Sequence, residues 1–403
     1  MSMIDTVRSL PSGRATRGRV PIFRPMLKGE DLDLIFTEAS FGFTEANHDL
    51  VTIAATSPTL TDTEGMVNAP ISFFFGAAPR TELFNGYIMA VEEKKAGSGS
   101  LTLNLLIMGT TKVMQVGSPR FWPQMTIPGA VQRLAYLNGL GFDGHEQDYR
   151  WPVLSQTSET DWFKVSSLAE RLGWRIYSRY GVVMCYDPLK VFREHGVLET
   201  LVSGEYSGDS VDAPERSLLE FEPSEDSEDK LPTTGVQMGY FQGGAVQIQR
   251  QAGDYDNYRM ITDVPLRNSV ESALYASSND HAPSKWEQQA KARLLGDASL
   301  YPGMNVEVVT TNTKYNRDRY NGRWFIRAVQ HKMDRQSFQT QVNLARPDSK
   351  TPVSTDVYQT FWARAGRPKP TLSLVDDKWI SSWSQGAPTS PVSLTPYLPG
   401  FPS

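Results

Sequence analysis

A short helix that runs directly into a β-hairpin is the most constraining pattern in this sequence, and it occupies residues 151–188. Ser158 and Asp161 have the spacing of a capping box, which typically starts a helix. Apolar side chains then recur at helical spacing until Gly173, a residue type that often ends a helix. The predicted apolar face comprises Trp162, Phe163, Val165, Leu168, Ala169 and Leu172, and the predicted polar face comprises Lys164, Ser167, Glu170 and Arg171.

The hairpin is predicted over residues 174–186, which are rich in aromatic and β-branched side chains. Tyr180-Gly181 marks its turn, and Asp187-Pro188 closes it. Cys185 lies in its second strand and is the single cysteine of the chain, which excludes an intramolecular disulfide and a multi-cysteine zinc site. We expect Cys185 to be a small buried hydrophobe.

Short strand patterns fill the sequence on both sides of this unit. Residues 21–112 contain at least five of them without a long helix, which is typical of a barrel or sandwich. Residues 201–346 return to strands, interrupted by a predicted helix over Pro283–Leu295. Asn321-Gly322 predicts a hairpin with a type I′ turn. Between the two β regions, Pro128–Leu137 predicts a further helix.

Several of these stretches resemble phage tail hub proteins: the late-control D protein family, the T4-type baseplate hub, and the N-terminal half of valine-glycine repeat protein G. The resemblance rests on three groups of residues that span about residues 20 to 346 in the order expected. These are Gln156, Glu159, Thr160, Asp161, Trp162 and Phe163 with the helix and hairpin that follow; Phe84-Asn85-Gly86-Tyr87-Ile88; and Tyr301-Pro302-Gly303-Met304 with Trp324-Phe325-Ile326 through His331.

The resemblance implies a mainly β fold with two similar β-barrel tube domains and an α/β insertion between them. Three copies would form a ring that adapts the sixfold tail tube to a threefold spike or fibre. The expected partners are a tail tube or distal tail protein above, a spike or central fibre protein below, and DNA or tape-measure protein in transit. The corresponding domains are a first barrel over 21–112, the insertion over 113–200 and a second barrel over 201–346.

Three further segments are expected to be peripheral. Residues 1–20 form a flexible basic arm, 205–229 an acidic loop, and 347–403 an extended tail with nine of the 26 prolines. Either the arm or the tail can supply contacts to a neighbouring subunit. The predicted interface residues are Arg14, Arg17, Arg19, Trp362, Trp379 and Trp383.

The sequence offers no catalytic, metal-binding or cofactor-binding motif. The net charge of −5 argues against a dedicated nucleic-acid binder. Gly139, Gly141 and Gly144 match G-x-G-x-x-G, but they follow a helix, so we interpret them as a helix stop and a loop. The five histidines lack zinc spacing, and a structural role is favoured for His331. We therefore expect a protein that is not an enzyme and needs no cofactor or metal.

Two other functions stay open at this point. A receptor-binding or glycan-binding tail protein would use exposed tryptophans to stack on sugar rings, whereas an unrelated all-β enzyme has no motif in its favour.

No apolar run reaches the length of a membrane-spanning helix and no signal peptide is evident. We expect assembly in the host cytoplasm and a final location in the virion tail.

Overall fold

A computed structural model describes the chain from residue 23 to residue 347, with gaps. The gaps are 28–29, 32–33, 58–62, 76–80, 96–100, 204–217, 225–233, 243–244, 251–253, 262–269, 272–273, 275–285, 287, 311–319 and 335–336. The basic arm and all six predicted interface residues lie outside the described residues, as does most of the acidic loop.

The described part of the chain is mainly β, as predicted. Its strands are β1 (Phe23–Leu27), β2 (Glu30–Asp31), β3 (Ile35–Thr44), β4 (Leu50–Ser57), β5 (Pro70–Phe75), β6 (Thr81–Lys95), β7 (Leu101–Gly109), β8 (Arg120–Met125), β9 (Gly141–Gly144), β10 (Trp151–Gln156), β11 (Arg175–Arg179), β12 (Val182–Tyr186), β13 (Glu199–Ser203), β14 (Leu218–Ser224), β15 (Thr234–Gln242), β16 (Ala245–Arg250), β17 (Asp254–Ile261), β18 (Gln288–Leu295), β19 (Asn305–Thr310), β20 (Gly322–Asp334) and β21 (Phe338–Arg346). Its helices are a 3₁₀ helix (Thr110–Gln115), α1 (Ile127–Leu137), α2 (Asp161–Glu170) and α3 (Pro188–Glu194). None of these helices is long and apolar enough to cross a membrane.

One 13-stranded sheet runs through both β regions. Its main path is β14-β18-β21-β20-β3-β4-β7-β6-β5-β1-β2, and β19 joins β20 and β13. Strand β20 pairs antiparallel with β3, so that His331 lies opposite Phe41. This pairing fuses the first and second β regions into one sheet, and within the described residues the strands do not close into a barrel.

Strand β7 shows why these sequences form a sheet with one buried face. Leu101, Leu103 and Leu105 are buried, whereas Thr102 and Asn104 between them are exposed. Successive side chains of a strand point to opposite faces, so the apolar/polar alternation places every leucine of this set in the core. The predicted alternation is confirmed.

Strand β12 is buried on both faces because it lies between two hydrophobic cores. Val182, Met184 and Tyr186 pack in the large core of the 13-stranded sheet. Val183 and Cys185 point the other way, into the core of the insertion. Cys185 is buried, so the expectation of a small buried hydrophobe is confirmed, and burial raises the pKa of its thiol to about 12. Strand β12 thus contributes side chains to the core of the β sheet and to the core of the insertion.

The predicted helix over Pro283–Leu295 is wrong, since residues 288–295 form strand β18. Ala290, Ala292 and Leu294 are buried, and Lys291 between them is exposed. This is the period of a strand with one buried face. Gln, Ala, Lys, Arg and Leu are good helix formers, but pairing with β14 and β21 overrides that preference.

The two predicted hairpin turns have different outcomes. Tyr180 and Gly181 have φ angles of 50° and 75°, so the predicted turn between β11 and β12 is confirmed. Asn321 is not among the described residues with positive φ, which excludes a type I′ turn at Asn321-Gly322. Instead, Asn321 Oδ1 accepts hydrogen bonds from Thr310 N at 2.7 Å and Thr310 Oγ1 at 2.8 Å, fastening the end of β19 to the start of β20.

Several elements of the insertion were not predicted, among them β8, β10, α3 and β9. Asp187 caps α3 by accepting from Leu189 N at 2.9 Å, so Asp187-Pro188 starts a helix in addition to closing the hairpin. Strand β9 replaces the loop predicted after Gly139 and pairs parallel with β12. Gly144 permits this approach, because a Cβ atom there would lie 2.6 Å from Cys185 O.

Candidate functional site at the junction of three regions

The turn between β3 and β4 contacts every other region of the described fold. Its first residue, Glu45, is buried, and its Oε1 accepts a hydrogen bond of 2.7 Å from the Tyr186 hydroxyl of the insertion. Its Oε2 accepts from Nε of Arg327 in the second β region. One carboxylate therefore joins the first β region to both others.

The remaining residues of this turn reinforce the junction. Ala46, held at a positive φ of 63°, donates its N–H to Ile176 O at 2.7 Å. The His48 ring stacks on Trp162 with centroids 4.9 Å apart, and His48 Nδ1 lies 2.8 Å from Thr111 Oγ1. Burial lowers the pKa of His48, so the neutral ring is favoured at this contact. We call residues 45–49 the junction turn.

A second attachment binds the end of α3 to the second β region. Asn305 Nδ2 donates to Val191 O and to His195 O, both at 2.9 Å. Arg323 Nη1 donates to Phe192 O at 2.9 Å. The three carbonyl groups lie at the C-terminal end of α3, where a helix leaves several carbonyl groups without partners in the helix. Parallel pairing of β13 with β19 extends the attachment.

The start of α2, which carries the strongest part of the sequence resemblance, is a polar structural network. Its N-cap is Thr160, whose Oγ1 accepts from Phe163 N at 3.2 Å, so the predicted cap at Ser158 is wrong by two residues. Glu159 Oε2 accepts from Thr157 N at 3.0 Å and Ser158 N at 3.1 Å, while its Oε1 pairs with Lys164 Nζ at 3.1 Å. The Glu159 carboxylate thus orders the loop before the helix.

The Asp161 carboxylate is the centre of the same network. Oδ1 accepts from Gln156 Nε2 at 2.7 Å and from the Arg120 guanidinium. Oδ2 accepts from Asn138 Nδ2 at 2.8 Å. The buried carboxylate therefore links α2 to β8, β10 and the end of α1. Satisfied in this way, it holds the insertion together and is not available as a catalytic group.

Phe163 and Lys164 exchange the faces that the sequence predicted for them. Lys164 is 7% exposed and Phe163 is 63% exposed. At about 100° per residue, Phe163 lies opposite the buried arc centred on Asp161 and Val165. Pairing with Glu159 compensates the charge of Lys164 and permits its burial.

Phe163 is one of four strongly exposed apolar side chains of the insertion, which we together call the apolar corner. Its members are Val116 (76% exposed), Phe121 (64%), Leu137 (59%) and Phe163 (63%). Val116 O accepts from Asp161 N at 3.4 Å, and Phe121 and Leu137 each adjoin a residue that bonds to the Asp161 carboxylate. Exposed large apolar side chains of this kind can contribute to a binding surface.

The other two parts of the resemblance also have structural explanations. A Cβ atom at Gly86 would lie 2.1 Å from Met108 O, so the strand pairing of β6 and β7 requires glycine there. His331 is fully buried between the rings of Phe43 and Phe338, at centroid distances of 5.6 Å and 5.9 Å. A structural position for His331 agrees with the sequence interpretation.

The geometry supplies no evident catalytic constellation within the part of the chain that is described. No group of three potential metal ligands occurs among those residues. Burial lowers the pKa of His145 to about 4, with Lys190 contributing, and its Nδ1 accepts from Asp187 N at 3.1 Å. Trp122, Trp151, Trp162, Trp286 and Trp324 are all buried, so these tryptophans offer no platform for sugar rings.

Comparison with solved structures identifies the fold of this chain, whereas comparison of its sequence with known proteins finds no match. No protein-family model matches the sequence, and no curated protein matches it. A tail protein from Neisseria meningitidis superimposes with a TM-score of 0.62 at 13% identity, over 81% of this chain and 97% of that one. This chain has a phage tail-protein fold.

Two further structures agree. The 43 kDa tail protein of prophage MuSo2 from Shewanella oneidensis matches with a TM-score of 0.59 at 10% identity, covering 82% of this chain and 99% of that chain. An E. coli component of the type VI secretion system, described as similar to the T4 tail proteins gp27 and gp5, matches with a TM-score of 0.54 at 12% identity, covering 81% and 77%. The resemblance to tail hub proteins inferred from the sequence is thus confirmed at the level of the fold.

Proposed function

We propose that this chain is a structural protein of a phage tail and forms the hub at the tail tip or baseplate. The observation that carries the proposal is the tail-protein fold, which extends over about four-fifths of the chain. The junction turn supports it, since one buried carboxylate fixes the relative positions of both β regions and the insertion. A protein whose role is to hold other subunits in a fixed arrangement needs its own regions at fixed relative positions more than it needs a reactive group.

In this proposal, three copies form a ring, and the two β regions of each copy act as its tube segments. The ring adapts a sixfold tail tube above to a threefold spike or fibre below, and gives passage to DNA or tape-measure protein. The net charge of −5 suits a passage that DNA crosses without binding. The protein would act without a cofactor or catalytic step, in the virion tail after assembly in the host cytoplasm.

Contacts between copies are proposed at two places. The apolar corner offers four exposed apolar side chains of the insertion. The arm and tail offer Arg14, Arg17, Arg19, Trp362, Trp379 and Trp383, of which the tryptophans would be buried against a neighbouring copy. Rings need heterologous contacts of this kind, in which different surfaces of identical chains meet.

Light scattering of the purified full chain tests the proposal. One chain has a mass of 45.0 kDa, so a trimer would have a mass of about 135 kDa. Deletion of residues 347–403 and the substitution Phe163→Ser should each shift the equilibrium towards monomer. Leu106→Ser, at a 40% exposed position outside the apolar corner, is the matched control and should not. A monomer at every concentration in all four proteins would contradict ring formation by the chain alone.

A further inference from the structure

A small cavity lies where the junction turn, strand β6, the β11–β12 hairpin and the loop after β18 meet. Asp49, Asn85, Ser178, Arg179 and Tyr301 are among the residues that line it. Its volume of about 20 Å³ is enough for a water molecule, which needs roughly 10–15 Å³. The cavity is distinct from the Glu45 and Asp161 networks described above.

Two charged side chains that line this cavity each have a buried polar atom without a hydrogen-bond partner among the described residues. Asp49 is 9% exposed, and its Oδ1 has no hydrogen-bond partner among the described residues. Nη1 of Arg179 is equally buried and equally without a partner in that part of the chain. Buried polar atoms without partners are rare in folded proteins, because desolvation without a compensating hydrogen bond is costly.

The position of Arg179 is fixed by its aromatic neighbours. Its guanidinium carbon lies 3.8 Å from the centre of the Tyr301 ring and 4.8 Å from that of Tyr180. Nη2 donates to the Tyr180 hydroxyl at 3.1 Å. With its central carbon over one ring and Nη2 bonded to the Tyr180 hydroxyl, the guanidinium has Nη1 left to bond to a partner in the cavity.

We propose that Asp49 and Arg179 form a binding site for one ordered water molecule. The water accepts a hydrogen bond from Arg179 Nη1 and donates one to Asp49 Oδ1, so that a solvent-separated ion pair connects the first β region to the insertion. A bridging water satisfies both atoms in the space available, and buried waters typically make about three such bonds. Burial raises the pKa of Asp49 well above its usual value, and the nearby charge of Arg179 opposes that rise.

A crystal structure of the full chain at high resolution tests the site directly. The expected result is one density peak within about 2.6–3.2 Å of both Asp49 Oδ1 and Arg179 Nη1. Direct contact between the two side chains, or an empty cavity, would overturn the proposal. A peak that bromide replaces, seen by its anomalous signal, would mean an anion site and would overturn it too.

Two variants at position 49 show whether the carboxylate is a ligand of the water. Asp49→Asn retains an oxygen acceptor and should keep the peak, whereas Asp49→Val removes the acceptor at similar volume and should lose or displace it. An unchanged peak in Asp49→Val would overturn the role of Asp49. Should Asp49→Val fail to fold, the Asp49→Asn and unsubstituted structures still decide between a bridging water and a direct ion pair.

Discussion

Replacing Glu45 by alanine should destabilise the fold far more than removing an ordinary surface carboxylate. The change deletes the acceptor of the Tyr186 hydroxyl and of the Arg327 guanidinium. Breaking a buried ion pair by removing one partner costs about 3–5 kcal/mol. Because the Arg327 side chain is 28% exposed, water can partly replace its lost partner, and we expect a loss of about 3 kcal/mol.

The assay is equilibrium unfolding of the full chain in urea, with a thermal melt as a second measure. A loss of about 3 kcal/mol lowers the melting midpoint of a large domain by roughly 6–12 °C. Glu220→Ala is the matched control, since Glu220 pairs with Arg293 at 3.0 Å but the two side chains are 47% and 50% exposed. Exposed pairs contribute about 0–1 kcal/mol, so the control should move the midpoint by at most a few degrees.

A partial deletion adds a check on the mechanism. Tyr186→Phe removes one hydrogen bond to the Glu45 carboxylate but keeps the ring in the core, and should cost about 1.5–3 kcal/mol. In the double variant with Glu45→Ala, the loss should be less than the sum of the two single losses, because both remove the same bond. Equal effects of Glu45→Ala and Glu220→Ala would refute the interpretation of Glu45 as the joint of the three regions.

Three further predictions follow from buried groups elsewhere. Asp161→Ala should cost about 3 kcal/mol in urea unfolding, because it removes the buried carboxylate that pairs with the Arg120 cation and accepts from two amides, each of which keeps only its other acceptor; a loss below 1 kcal/mol would contradict the network. Burial lowers the pKa of His331 to about 4, so its neutral form stabilises the fold above pH 6.5. That contribution, about 3 kcal/mol, is lost as the pH falls from 6.5 to 4. His331→Gln should therefore flatten the dependence of the free energy of unfolding on pH between 4 and 6.5, and an unchanged dependence would contradict the role given to His331. The Cys185 thiol should not react with a thiol reagent at pH 8 until urea unfolds the chain; prompt labelling of the native protein would contradict its burial.

Local rules predicted the elements whose residues interact with near neighbours in sequence. The alternation in β7 and the turn at Tyr180-Gly181 each depend on a few consecutive residues, and both are confirmed. The same rules were wrong for β18, because its residue types favour a helix although its apolar and polar residues alternate as in a strand. The alternation of apolar and polar residues over Ala290–Leu294 would have favoured the strand.

The junction could not be predicted, because its contacts join residues that are distant in sequence. Glu45 is 141 residues from Tyr186 and 282 residues from Arg327. Nothing in the local sequence around Glu45 distinguishes it from a solvated acid in a turn. Only the pairing of β3 with β20, together with the packing of β12, brings the three side chains to one point. Long-range register of this kind is set by the whole fold and not by any one segment.

The residues that carry the sequence resemblance occupy positions where packing permits few alternatives. Gly86 has no space for a Cβ atom, Trp162 stacks on His48, and the Asp161 carboxylate bonds to three separate segments. Gly86 and Asp161 each fix packing within one region, Trp162 joins the insertion to the first β region, and none of them is arranged to act on a substrate. These packing requirements explain how this chain and the Neisseria meningitidis tail protein can share a fold at 13% sequence identity. A few geometric requirements can specify the junctions of such a fold, while most of the surface and much of the core vary within the limits of size and polarity.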